Sequence, residues 1–233
     1  MNMFLPTNNQ NGSIGEIEKS AAQSYKKRTN LSIDCAKIKA LIKTFDSDQN
    51  NKHYNISSIC NSYGITRRIF YDFITIMTAI EIAKKINSEE FIWICVRNHI
   101  SLIDKIKDEM KSENIKIDIF NCENDGKLSE VTIKLIKLFY FLGTDTIDIK
   151  KVSKLFVSGI VKRKTMIRKL YTITTSLEII GLICKMNKPG IFKISIGPTF
   201  ITDLESLLNH ITTIKNEERY IIRRQLYDDL TSN

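Results

Sequence analysis

The chain has 233 residues, 42% of them apolar, which suits one large globular unit or two small ones. Its formal charge of +9 points to nucleic acid or an anionic membrane surface as partner. Its apolar runs are short and broken by Lys, Asn or Asp, which excludes a bilayer span of about 18 or more apolar residues. The five cysteines are far apart and form no C-x-x-C, the pattern of reduced thiols in an intracellular protein.

Residues 1–24 are rich in Asn, Gln, Gly and Ser, lack the basic start and apolar core of a secretory signal, and are expected to form a disordered tail. Helices are expected over AKIKALIKTF (36–45) and ISSICNSYG (56–64). A third follows in ITRRIFYDFITIMTAIEIAKKI (65–86), where Phe70, Phe73, Met77 and Ile80 recur at i, i+3, i+7 and i+10. EIAKKI (81–86), Asn87-Ser88 and EFIWICV (90–96) read as a β-hairpin. Residues 98–128 are a linker with a helical segment.

The series then recurs. Helices are expected over SEVTIKLIKLFYFL (129–142) and DIKKVSKLFVSG (148–159), and a third in KTMIRKLYTITTSLEIIGLICKM (164–186). A hairpin follows, turning at Lys188-Pro189-Gly190 before IFKISI (191–196). The two third helices align without a gap: Arg68 meets Arg168, Phe70 meets Leu170, Tyr71 meets Tyr171, Phe73 meets Ile173 and Met77 meets Leu177. Helix, helix, helix, hairpin, twice over, is the order of the winged-helix variant of helix-turn-helix. The expected fold is therefore mainly α with small β-wings. Two tandem winged-helix domains span 25–97 and 129–202, and 203–233 forms a C-terminal helix. Leu204, Leu207, Leu208, Ile211 and Ile214 make an apolar stripe on it. That stripe either packs on the second domain or forms a short dimerising coiled coil, whose heptad Glu218 and Gln225 interrupt.

At the third helices the chain resembles the E2-factor/DP family of cell-cycle transcription regulators, whose motif is Arg-Arg-x-Tyr-Asp. The first copy reads TRRIFYDFITIMTAIEIAKK and closes with EEFIW; the second reads IRKLYTITTSLEIIGLICK and closes with FKISIGP. Two such domains in one chain resemble the family's atypical branch, which needs no separate dimerisation partner. The basic stretch SYKKRT (24–29) sits where the family has an arm ahead of its first helix, and VKRKTMI (161–167) precedes the second copy's motif. The family's tandem arginines read guanines. Here the second arginine is Ile69 in one copy and Lys169 in the other, and the motif's aspartate is Asp72 in one and Thr172 in the other.

Arginine suits guanine because its planar fork donates to both O6 and N7. Arg67, Arg68 and Arg168 are candidates for that role or for a phosphate clamp, and Lys169 for a less oriented contact. Tyr71 and Tyr171 either bond phosphates or pack on the core. Asp72 is expected to hold Arg68 by a charge-assisted hydrogen bond. Lys26, Lys27 and Arg28, and Lys162, Arg163 and Lys164, are candidate backbone or minor-groove contacts of flexible basic arms. Lys84, Lys85, Lys185 and Lys188 fall in the wings near the expected phosphate path; Glu89 and Glu90 oppose this in the first wing, which is expected to stay off the DNA.

Neither a catalytic constellation nor a glycine-rich phosphate loop is present in the sequence, so neither enzymatic activity nor a cofactor is expected. Cys95 and His99 have a metal-like spacing but lack two further ligands, and no metal is expected. The leading expectation is a nuclear, sequence-specific transcription regulator, possible repression included, on a GC-containing promoter duplex. It would bind as a monomer through both domains or as a homodimer through the C-terminal helix, with co-regulator proteins as further partners and no membrane. Two other readings stay open: a replication-origin-binding initiator, and a winged-helix protein-interaction scaffold without DNA specificity.

Overall fold

Ile38, Leu41, Ile42 and Phe45 recur at helical spacing and are all buried. They form the inner face of α1 (32–47) in the computed structural model, which describes residues 32–48, 52–111, 117–122, 126–195 and 217–231. The chain then forms a short strand, β1 (His53–Asn55), and two helices, α2 (Ile56–Tyr63) and α3 (Arg67–Ala79). Strands β2 (Ala83–Lys85) and β3 (Glu90–Trp93) complete the first series. Helix α4 (His99–Lys111) leads to the second: α5 (Leu128–Leu142), β4 (Thr146–Asp148), α6 (Ile149–Phe156), α7 (Ile160–Ile179), β5 (Ile183–Lys185) and β6 (Ile191–Ile194). A last helix, α8, spans Glu217–Thr231.

The described chain is thus mainly helical with two antiparallel three-stranded sheets, ordered β1-β3-β2 and β4-β6-β5. Each expected hairpin is present, and each has gained a third strand. β1 pairs with β3 with Tyr54 opposite Phe91, and β4 pairs with β6 with Ile147 opposite Phe192. Three residues show no readable period, so only the partner strand makes HYN and TID extended. The side chain of the last residue of each strand caps the next helix. Asn55 accepts from the Ser58 amide at 2.9 Å, and Asp148 from the Lys150 amide at 2.7 Å.

After α3 and α7 the backbone reverses through left-handed residues, Glu81 at φ 63° and Gly181 at φ 77°. A Cβ on Gly181 would meet nothing within 4 Å, so its substitution is opposed by backbone conformation alone. We expect Gly181→Ala to lower stability by about 1 kcal/mol, read as a fall in the thermal midpoint.

Helix α5 organises the interior. Val131, Leu135, Ile136, Leu138, Phe139 and Phe141 are all at most 2% exposed, so its buried surface is wider than one stripe, with Glu130, Lys134 and Lys137 along the remaining polar edge. It packs against α3 of the first series, against α4, against α7 and against α8. Ile103, Ile106 and Met110 are the buried side of α4, so this part of the expected linker is core. Of the expected C-terminal helix, Leu226 and Leu230 pack on the second series. Residues 204–214, which carry the stripe, lie outside the described residues, as do Lys26, Lys27 and Arg28.

Candidate nucleic-acid interface

The two third helices are in contact. Their facing sides, with Cys35 and Ile38 of α1, enclose a cleft of about 740 Å³. Arg68, Ile69 and Asp72 of α3 line it opposite Arg168, Thr172 and Thr175 of α7. The helical period explains the lining. Arg168, Thr172 and Thr175 lie at i, i+4 and i+7, away from the stripe Leu170, Ile173 and Leu177 that is buried in the second series. Arg68 and Asp72 likewise turn away from Phe70, Phe73 and Met77.

Arg68 and Arg168 are exposed, and their side chains have no hydrogen-bond or ion-pair partner among the described residues. The expected hydrogen bond from Arg68 to Asp72 is not formed. Burial pushes the Asp72 carboxyl above the usual carboxylate range, and the charges of Arg68 and Lys85 only partly oppose it. Thr172 donates to the carbonyl of Arg168 at 3.1 Å, a bond internal to its own helix. Ile69 is half-buried, lines the cleft and packs against the core.

Most of the remaining candidates are engaged. Arg67 pairs with Glu89 at the turn between β2 and β3. That carboxylate also accepts from the Ser57 hydroxyl at 2.6 Å. The Ser57 bond first, then Arg67, holds Glu89 below its ordinary value. The stabilisation this latch gives is therefore present above the unfolded carboxyl value and is lost as pH falls through the lower folded one. Lys169 is half-buried and donates to the carbonyl of Gly126 at 3.1 Å. Tyr71 and Tyr171 are 39% and 36% exposed. The Lys85 ammonium sits 3.6 Å over the Tyr71 ring, and Tyr171 packs edge-on against Phe192. Two of the four wing lysines are turned back onto third helices. Lys85 bonds Thr75 at 2.7 Å, and Lys185 pairs with Glu178 at 2.8 Å.

Lys162, Arg163 and Lys164 are not on a flexible arm: they belong to the first two turns of α7. Lysine and arginine are good helix formers, and the segment lacks Gly and Pro from Ile160 onward, so nothing stops the helix before Gly159. Arg163 donates to the Ser158 carbonyl at 3.0 Å, while Lys162 and Lys164 are exposed. Sequence reasoning missed Cys35 and Ile38 as a wall of the cleft. No local signal marks them, because only the fold brings α1 to α7. Among the described residues no group of three or more His, Cys, Asp or Glu could hold a metal ion, and the His99 ring bonds the Val96 carbonyl.

No family model, curated protein or solved structure matches the chain.

Proposed function

We propose that the chain is a duplex-DNA-binding regulator made of two winged-helix units, with α3 and α7 presented to the major groove. The observation that carries this reading is the pairing of Arg68 and Arg168. They are equivalent residues of equivalent helices, both exposed, neither side chain hydrogen-bonded or ion-paired to another described residue, and both opening on one cleft. Five basic and no acidic residues between Ile160 and Lys169 add the charge that a phosphate backbone requires. Because α3 and α7 touch, their half-sites abut on the duplex. Separate helix-turn-helix dimers instead place half-sites about 34 Å apart. The sequence resemblance to the E2-factor/DP family fits this arrangement, and nuclear repression by occupancy of a GC-containing site is the role we assign.

Selection from a random duplex pool with the full chain tests it. Enrichment of one short, uninterrupted motif is the expected result. If random competitor removes the protein as readily as the enriched site does, the reading fails.

Engagement of Arg67 by Glu89 and of Lys169 by Gly126 favours a second reading, a protein-interaction scaffold, since it removes half of the expected base readers. Glu89→Gln separates the two. On the DNA reading it releases Arg67, and the slope of log affinity against log salt steepens by about one unit. On the scaffold reading the slope does not move.

A further inference from the structure

Between their first and second strands the two series differ in one place. β1 and α2 correspond to β4 and α6 at a separation of 93 residues (His53 to Thr146), but β2 corresponds to β5 at 100 (Ala83 to Ile183). The connections before the third helices are equal in length, Gly64 to Thr66 against Val157 to Gly159. The whole difference therefore falls inside the helix: α3 has 13 residues and α7 has 20, seven more. Seven residues are close to two turns and shift the helical phase by only about 20°. The face that carries Arg168 thus continues toward the N-terminus through Thr165, Lys164 and Val161, at i−3, i−4 and i−7. α3 has no equivalent, because the position four before Arg68 is Gly64, outside the helix.

The inner side of this extension is anchored by Met166, 2% exposed. Its outer side is bare. Val161 is 79% exposed, and Lys164 and Thr165 are exposed as well. None of the three lines the cleft. Lysines and an arginine surround them, so a polyanion complements the surface, and it is continuous with the face of Arg168.

We infer, resting on the duplex-binding reading above, that these two turns make the DNA site asymmetric: Val161, Lys164 and Thr165 read base pairs beyond those met by Arg168, on the side of the second series only. Two turns span about 10.5 Å, or about three base pairs at ~3.4 Å each. Lys164 can donate to guanine O6 or N7, and the methyl groups of Val161 and Thr165 fit the 5-methyl of thymine.

The test is a competition assay with the full chain on duplexes holding its selected core, randomised on both flanks. Wild-type protein should show preference over about three base pairs of one flank only. Lys164→Ala should weaken that preference by about tenfold and leave the core preference intact. Val161→Ser/Thr165→Ala is a second, independent variant, expected to lose thymine preference there. All three sites are exposed, so unchanged thermal midpoints verify folding. Neutral flanks, equal flanks, or a one-sided preference that neither variant moves would overturn the inference while leaving the duplex reading standing. Neutral flanks are also what an acidic protein partner for this surface would give. Absence of any preference, core included, would remove both.

Discussion

Replacing Arg68 and Arg168 together by alanine should lower affinity for the selected duplex by about 30-fold to 10⁴-fold, since each base contact contributes about 1–3 kcal/mol. The loss should be much smaller on a scrambled duplex, where only the phosphate charge of the two arginines is missing. Neither side chain is buried or bonded to another described residue, so the fold should be unaffected to within about 0.5 kcal/mol. One local response is expected. Asp72 is already pushed toward its neutral form by burial and would lose the stronger of the two positive charges that oppose this. Titration of both duplexes by gel shift decides the matter. Equal losses on the two would make the arginines phosphate clamps, and no loss on either would leave the cleft without a DNA role.

The second large effect is on stability. Phe139 lies on α5 with no exposed surface, in a helix that touches both series of elements. Phe139→Ala leaves a cavity and should cost about 3–5 kcal/mol, a drop in thermal midpoint of roughly 6–20 °C for a chain of this size. Its more specific consequence concerns cooperativity. Trp93 is the single tryptophan, belongs to the first series, is 3% exposed and donates to Asp46 at 2.7 Å. If α3 and α5 share one core, a cavity in the second series must shift the melting seen by Trp93 fluorescence as far as that seen by far-ultraviolet circular dichroism. A Trp93 transition that stays in place would show two independently stable halves and overturn the shared core.

Much of this architecture is legible in the sequence because it rests on local period and local chemistry. The stripes Phe70, Phe73, Met77 and Leu170, Ile173, Leu177 specify the third helices before any fold is known, and Lys188-Pro189-Gly190 marks a turn by its backbone preferences alone. The repeat follows from comparing the chain with itself, and it singles out Arg68 and Arg168 as equivalent. What the sequence left open depends on partners distant along the chain. The strands at His53–Asn55 and Thr146–Asp148 exist because β3 and β6 pair with them. A basic run such as VKRKTMI is compatible with a flexible arm or with two turns of helix, and continuity with α7 decided for helix. Arg67 and Lys169 look as available as Arg68 in one dimension, but Glu89 and Gly126 claim them in three. The tertiary structure alone decided that α5 is surrounded by both series and that the two third helices meet across one cleft, because burial and juxtaposition are properties of surfaces brought together, which no local period encodes.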